Sequence, residues 1–311
     1  MGLVVNPRLL DFALLCLIWG ATWIGIKAGV ESVPPLFFAG TRFVTAGVLL
    51  LALASFRGER VNVATEDRLR FLVVSLLMIS LCYGPLFWGM RYISSGTAAV
   101  LELALTPIAL LFFAVLLGDE RVAVRHFVAI GLGVAGIALL FGPQALAEAA
   151  PAGPGSDRYA VGAFAVASAA FTYGLGSVVA RPLLKTYPPF LVAGITTFVG
   201  GGALFAYALS FEAGAVRALR GDWGWAAWTG WLFLVLFGSL IGYTLYMRLL
   251  RDIGASRAGS YAFVSPVVAV VLGVLVFGET IKPLDIPAVI LMLAGAYMAM
   301  ATPSQAPRSD R

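Results

Sequence analysis

The sequence is poor in charge, histidine and cysteine. Only 12% of its 311 residues are charged, whereas soluble domains carry about 25%. His126 is the single histidine, Cys16 and Cys82 are the only cysteines, and no aspartate lies deep in an apolar run. A Ser–His dyad, a paired-aspartate intramembrane protease and a histidine-rich metal site therefore lack their parts. We expect no cofactor, no metal and no catalysis.

Long apolar runs dominate the sequence instead. Hydrophobic residues make up 60% of it, and the mean hydropathy is +0.94. A helix of about 20 apolar residues crosses a hydrocarbon core about 30 Å thick. The sequence therefore predicts an all-α integral membrane protein with ten transmembrane helices. The predicted spans are 10–30, 34–56, 69–90, 95–117, 123–142, 158–180, 188–210, 224–247, 257–277 and 284–302.

Two of these spans are related copies. Thr106-Pro107 in the fourth span recurs 159 residues later as Ser265-Pro266 in the ninth, and each proline is followed 13 residues on by a glutamate, Glu120 or Glu279. The Pro-Pro pair at 34–35 likewise recurs at 188–189. Matching landmarks at this spacing indicate two repeats. We predict a first repeat at 1–142 (helices 1–5), an outer linker at 143–157, a second repeat at 158–302 (helices 6–10) and a cytoplasmic tail at 303–311.

The basic residues predict how the chain lies in the membrane. With both termini inside, 14 of the 21 Lys and Arg residues fall on inner segments and six on outer ones. This bias is typical of cytoplasmic termini in a bacterial inner membrane. It also explains the net charge of +5 without nucleic acid as a partner. Because each repeat has five spans, an odd number, the second repeat is inverted relative to the first, as in many transporters.

These features resemble the drug/metabolite transporter superfamily, EamA type. The similarity rests on two five-helix halves, on the mid-span prolines Pro107 and Pro266, and on the glutamates that follow them, and it covers about residues 10–302. Within the superfamily the chain is most similar to the YddG-type exporters of aromatic and other amino acids. The resemblance implies a central cavity lined by helices 1, 3, 4, 6, 8 and 9, and transport by alternating access.

Two charged residues lie within predicted spans. Arg42 and Glu102 are both roughly 10–12 Å below the outer face, at 1.5 Å per helical residue. A charge at that depth needs a partner or a wet cavity. One interpretation is that the two residues bind the carboxylate and ammonium of a zwitterion. The other is that they pair with each other and hold helices 2 and 4 together.

Aromatic residues are the second candidate feature. Trp19 and Tyr173 occupy equivalent points of helices 1 and 6, where a ring could stack on a substrate or simply pack in the core. Gly20 and Gly174 beside them, with Pro107 and Pro266, are candidate hinge or close-packing positions. The complete set of candidate substrate-binding residues is Trp19, Trp23, Arg42, Tyr83, Phe87, Glu102, Tyr173, Tyr243, Tyr246 and Tyr261.

The sequence therefore predicts a secondary transporter that exports amino acids and related small metabolites. A multidrug or lipophilic-cation exporter of the same fold is the first alternative, since Glu102 could bind a cation, although Arg42 could not. An integral-membrane enzyme is the remote alternative. The expected partners are an amino acid-like molecule and the lipid bilayer. A homodimer stays open, because the small-residue spacing of Gly131 and Ala135 occurs in any packed helical bundle.

Overall fold

The computed structural model describes residues 6–58, 62–149, 156–277 and 280–301, and their regular structure is helical throughout. Ten long helices are labelled here in chain order. They are α1 (Pro7–Val30), α2 (Pro35–Phe56), α3 (Thr65–Gly89), α4 (Ser95–Leu116), α5 (Val124–Ala149), α6 (Ser156–Thr186), α7 (Pro189–Phe211), α8 (Trp225–Ile253), α9 (Tyr261–Phe277) and α10 (Asp285–Ala301). Short helical turns at Ala215–Ala218 and Ala255–Ala258 precede α8 and α9.

The helices have the length and surface of a membrane protein. Nine stretches of the described chain are long and apolar enough to cross a bilayer, whereas α10, with 17 residues, is shorter. Large apolar side chains point outward, among them Phe164 and Phe211, each about three-quarters exposed. Such surfaces are stable against lipid tails and would aggregate in water. The predicted all-α membrane fold is confirmed, and the count of ten spans depends on α10.

Prolines lie at the starts of α2 and α7, whereas the proline near the end of α5 does not terminate that helix. Pro35 and Pro189 occupy the first turns of α2 and α7, where a missing N–H costs nothing. Pro143 lies inside α5, which continues to Ala149. The first seven residues of the predicted linker 143–157 are therefore helical, and α6 begins at Ser156. Residues 150–155, Glu279 and the tail 303–311 lie outside the described residues.

Polar contacts between helix ends define two faces of the bundle. Arg248 at the end of α8 lies 3.2 Å from Asp11 at the start of α1. Tyr187, just before α7, accepts a hydrogen bond from the Ala64 N–H at the start of α3. We call this side the N-terminal face. On the other, distal face, Glu212 after α7 accepts hydrogen bonds from the first backbone N–H groups of α2.

The two halves pack symmetrically and exchange their first helices. Helix α2 packs on α7, and α5 packs on α10. Helix α1 packs mainly against α8 and α9 of the second half, while α6 packs against α3 and α4 of the first. Because α1 begins and α6 ends at the N-terminal face, the second half is inverted relative to the first.

Gly20 and Gly174 are points of close helix contact. A Cβ atom on Gly20 would lie 2.7 Å from the Ser265 carbonyl oxygen, and one on Gly174 would lie 2.8 Å from Ala109 Cβ. Ser265 belongs to α9 and Ala109 to α4. Each glycine therefore lies against a helix of the other half, and these two helices contain Pro266 and Pro107. The absence of a side chain lets these backbones approach.

Helices α3 and α8 share a local irregularity that the sequence does not predict. Each contains a π-helical segment, Leu76–Ser80 in α3 and Leu234–Tyr243 in α8. These are the third helices of the two halves, so the irregularity follows the repeat. π-helical turns widen a helix and are frequent at functional sites. Both segments lie next to the interface between the halves.

Candidate functional site

A small cavity of about 60 Å³ lies between the two halves. It is lined by Trp19, Thr22, Trp23 and Ile26 of α1, Arg42 of α2, Cys82, Tyr83 and Leu86 of α3, Glu102 and Leu103 of α4, Tyr173 of α6, and Tyr261 and Ser265 of α9. Seven of the ten predicted substrate-binding residues are in this set. Ligand pockets typically measure about 300–1,000 Å³, so in this conformation the cavity is too small for a metabolite-sized ligand.

Trp19 is held in place by the second half. Its indole N–H donates to the carbonyl oxygen of Gly238, 3.2 Å away in the π-helical segment of α8. A π-helical turn shifts the backbone hydrogen-bonding pattern and makes such a carbonyl available. The Trp19 ring meets the Tyr261 ring edge to face, with centroids 4.6 Å apart. The orientation of this ring is therefore set by two helices outside α1.

Four aromatic rings form one cluster beside the cavity. Tyr246 lies between Trp19 and Tyr173, with both ring centroids at 5.3 Å, and 5.8 Å from Tyr261. The Tyr246 hydroxyl donates to Ser177 Oγ at 2.8 Å. The Tyr173 hydroxyl is also buried beside Tyr246, and among the described residues it has no partner with full hydrogen-bond geometry. It places a polar group on the cavity wall.

Arg42 is a buried guanidinium that forms no ion pair with any of the described residues. Its Nε donates a hydrogen bond to Ser239 Oγ at 3.0 Å. The guanidinium carbon lies 4.6 Å from the centre of the Phe43 ring. Nη1 has no hydrogen-bond partner, and no carboxylate of the described residues lies within 4 Å of the group. Buried cations normally have such a partner.

Glu102 lies on another wall of the same cavity, and the predicted ion pair with Arg42 is not formed. Its carboxylate accepts a hydrogen bond from Thr106, one turn further along α4, at 3.3 Å. Thr106 is the residue that precedes Pro107, and its repeat counterpart Ser265 also lines the cavity, with a buried hydroxyl that has no partner. The cavity thus has opposite charges on different helices and two unpartnered hydroxyls.

Three predicted residues lie behind the cavity wall rather than on it. Phe87 is fully buried and packs against the Tyr83 ring at 6.1 Å. Tyr243 is also buried, and its hydroxyl contacts Met78 Sδ at 3.6 Å. Tyr246 supports the aromatic cluster. The resemblance implied that α8 lines the cavity, but its role here is to hold Trp19 and Arg42, while α2 supplies a wall residue.

Six lining residues are absent from the predicted set: Thr22, Ile26, Cys82, Leu86, Leu103 and Ser265. Thr22 and Ile26 could have been predicted from the sequence, because positions 19, 22, 23 and 26 share one helical face. Ser265 could also have been found as the counterpart of Thr106. Among the described residues, no group of His, Cys, Asp and Glu side chains is arranged to hold a metal ion.

A polar cluster joins the halves at the N-terminal face. Glu120, just after α4, accepts hydrogen bonds from both the backbone N–H and the hydroxyl of Ser256, which precedes α9. Arg181 of α6 pairs with Asp119 and donates to the Leu250 carbonyl oxygen of α8 at 3.2 Å. These contacts, the N-terminal latch, connect four helices that surround the cavity. A transporter with alternating access needs a closure of this kind that can be made and broken.

The family model described as the EamA-like transporter family matches this chain twice, over residues 9–142 and 160–301. The chain belongs to the EamA-like transporter family. The two matches correspond to the two inverted halves. The EamA-like fold also agrees with a protein of known crystal structure that superimposes with a TM-score of 0.76 at 18% identity, over 94% of this chain and 97% of that one.

Two curated relatives of this EamA-like chain are transporters by name. It is 33% identical over 301 residues, 94% of this chain and 92% of the relative, to the uncharacterized inner membrane transporter YedA of Escherichia coli strain K12. It is 26% identical over 283 residues, 91% of this chain and 92% of the relative, to the uncharacterized transporter YoaV of Bacillus subtilis strain 168. Family and relatives point to a membrane transporter and away from an enzyme, and they support a bacterial inner membrane.

Proposed function

We propose that this EamA-like transporter exports amino acids and related small zwitterions by alternating access. The observation that carries the proposal is the unpaired guanidinium of Arg42 in the wall of a cavity between the halves. A buried cation without an anion favours a ligand that supplies one. Glu102, on a separate helix, offers an acceptor for the ammonium group of the same molecule.

The aromatic residues suit the remainder of such a substrate. Trp19, Tyr83 and Tyr261 present ring surfaces to the cavity, and the Tyr173 hydroxyl adds a polar group. Rings with a polar tip bind an apolar side chain while satisfying nearby polar atoms. A cavity of about 60 Å³ must widen to hold an amino acid. The structure is therefore compatible with a closed state between two open ones.

A lipophilic cation fits this cavity less well. Glu102 would attract a cation, but Arg42 lies on the wall of the same cavity and would repel it. The described residues hold no carboxylate within 4 Å of Arg42 that could cancel its charge. We therefore favour a ligand with both charges over one with a positive charge alone.

The test uses purified protein in proteoliposomes and four related probes. These are an aromatic amino acid, its carboxamide, its deaminated acid and a lipophilic cation. We expect counterflow of the amino acid to exceed that of the other three. Accumulation of the amino acid by inverted membrane vesicles, in excess of uptake by right-side-out vesicles, would support export.

Substitution of Arg42 then identifies the group that it binds. Losing a hydrogen bond to a charged group costs about 1.5–3 kcal/mol, so Arg42→Gln should reduce transport of the amino acid about 10- to 100-fold and reduce its advantage over the carboxamide. The matched control is Arg68→Gln, an exposed arginine at the start of α3 that lies outside the cavity. Transport of the cation, but not of the amino acid, by the unmodified protein would favour the drug-exporter alternative.

A further inference from the structure

A second, larger concavity lies at the N-terminal face, outside the cavity between the halves. It has a volume of about 1020 Å³ and is formed by the end of α2, the α6–α7 turn and the last part of α8. Its floor is apolar and includes Leu50, Leu53 and Ile241. Leu53 and Ile241 are 40% and 43% exposed, so part of the floor is open to the surroundings. We call this concavity the basic groove.

The rim of the basic groove carries an excess of positive charge. Arg57, Lys185, Arg248 and Arg251 all line it. Arg251 pairs with Asp252 at 2.7 Å, and Arg248 pairs with Asp11 of α1 at 3.2 Å. Arg57 lies over the Phe190 ring at 5.8 Å. Neither Arg57 nor Lys185 has an ion pair within the described part of the chain. Two cations are therefore available to an anion.

The inverted repeat provides a comparison within the same molecule. A groove of about 660 Å³ lies between α3, α6 and α7 towards the distal face. Leu204 and Leu81 line it; Leu204 follows Leu50 by 154 residues and Leu81 precedes Leu240 by 159, which are the spacings of the repeat, so both grooves have a similar apolar floor. None of the described residues that line this distal groove is charged.

We propose that the basic groove binds an anionic phospholipid, with the phosphate on Arg57 and Lys185 and an acyl chain along the apolar floor. The positive charges of the rim favour an anionic ligand. The exposed leucine and isoleucine side chains of the floor favour an anion that carries a hydrocarbon tail. Cationic pockets between transmembrane helices are suited to anionic headgroups. Because the cations occur in only one of two equivalent grooves, we expect this selectivity at the N-terminal face alone.

The groove is connected to the cavity through α8. Leu240 and Ile241 in its floor belong to the π-helical segment Leu234–Tyr243, which also contains the Gly238 and Ser239 partners of Trp19 and Arg42. A lipid that packs on this segment would stabilise the backbone arrangement that holds both cavity residues. This proposal concerns lipid binding and does not depend on which solute is transported.

The test measures lipid binding by the full-length protein in neutral detergent. Native mass spectrometry and thermal unfolding are recorded with phosphatidylglycerol, with phosphatidylcholine of the same chains, and with soluble glycerol 3-phosphate. We expect preferential binding and stabilisation by phosphatidylglycerol. Each cation near a headgroup contributes about 1 kcal/mol, so Arg57→Gln with Lys185→Gln should weaken that preference by roughly 30-fold.

Two further variants separate charge from the acyl-chain contact. Arg121→Gln with Arg125→Gln removes two exposed arginines before and at the start of α5, outside the groove, and should leave the preference intact. Leu53→Trp keeps the cations but fills the apolar floor, and should weaken binding of both lipids. Equal binding of the two lipids by the unmodified protein, an equal loss in the Arg121/Arg125 variant, or full stabilisation by glycerol 3-phosphate would each overturn the proposal.

Discussion

At the scale of single residues, the cavity is lined by buried polar side chains that lack some of the hydrogen-bond partners that buried groups normally have. Arg42 is 3% exposed, yet Nη1 has no partner, and the same holds for the hydroxyls of Tyr173 and Ser265. Most buried polar groups in proteins are paired. Three such groups around one cavity support our proposal that a ligand completes the hydrogen bonding there.

The sequence could predict the positions of these residues but not their partners. Arg42 stands out because a charge in an apolar span is rare, and Trp19 stands out through its counterpart Tyr173. The partner of Arg42, Ser239, is 197 residues away on α8, and an ordinary helical pattern gives no sign of the π-helical segment that places it. Of the two interpretations of Arg42 and Glu102, the structure does not form the direct pair, because a similar depth in the membrane does not fix lateral position.

Replacement of Trp19 by phenylalanine tests how this ring acts. Trp19→Phe keeps an aromatic ring but removes the N–H that donates to Gly238. One neutral hydrogen bond contributes about 1 kcal/mol, so we expect a small fall in melting temperature and a several-fold higher apparent KM for bulky substrates. The control is Trp225→Phe, because Trp225 is 83% exposed. Equal KM changes for small and bulky substrates would indicate a packing role instead.

At the scale of the helices, close contact between helices of different halves holds the cavity together. Gly20 meets α9 and Gly174 meets α4 at equivalent points. The sequence shows both glycines and shows that they occupy equivalent positions of the two repeats. It does not show their contacts, because a spacing of small residues does not say which helix will approach. The shift of the α5 end from the predicted residue 142 to Ala149 has a similar origin, since Pro143 is accommodated within the helix.

A single methyl group at Gly174 should separate α6 from α4. In Gly174→Ala the new Cβ would lie 2.8 Å from Ala109 Cβ and 3.0 Å from the Ala109 carbonyl carbon. Overpacking of this kind typically costs about 1–3 kcal/mol, so we expect a clearly lower melting temperature in detergent. Gly202→Ala on α7 is the control, because nothing lies within 4 Å of its Cβ position. Similar melting temperatures for both variants would show that α6 adjusts freely.

At the scale of the whole molecule, the packed helix bundles do not coincide with the two sequence repeats, because each bundle contains a helix of the other repeat. One bundle contains α3, α4 and α6, and the other contains α8, α9 and α1. The repeats are read directly from the sequence, and so is their inversion, because it follows from an odd number of spans. The exchange of α1 and α6 cannot be predicted from the sequence, because the composition of an apolar helix does not show which helices it will pack against. We infer that alternating access moves these mixed bundles relative to each other.

The N-terminal latch should control access to the cavity. Glu120→Gln removes the charge that binds Ser256 and should favour the state open to the N-terminal face. The reporter is Cys82, a buried cavity residue, in a Cys16→Ala background. An impermeant maleimide is applied to spheroplasts and to inverted vesicles. We expect about tenfold faster labelling only in the preparation that exposes the N-terminal face.

Asp252→Asn is the matched control for the latch, since it weakens the nearby Arg251–Asp252 pair within α8 without affecting the contact between halves. It should leave the labelling of Cys82 unchanged. Faster labelling from both faces in Glu120→Gln would mean that the variant has loosened the bundle as a whole. No change from either face would show that the latch does not hold the cavity closed.

The proposed orientation, with both termini in the cytoplasm, can be tested at one exposed residue on each face. Asp222 lies in the connection before α8 on the distal side, and Asn62 precedes α3 on the N-terminal side. The native cysteines are both buried. Asp222→Cys should react with an impermeant thiol reagent in intact spheroplasts, and Asn62→Cys only after permeabilisation. The reverse result would place the termini outside.

The packing of α1 also has a consequence for how the chain is made. Trp19 finds its hydrogen-bond partner Gly238 only 219 residues later in the chain. Synthesis proceeds at about 5–20 residues per second, so these two residues are made roughly 10 to 40 s apart. For that time α1 lies in the bilayer with lipid against the surface that α8 and α9 will cover. A polypeptide that stalls before α8 would carry this uncovered surface, which makes it a substrate for membrane quality control.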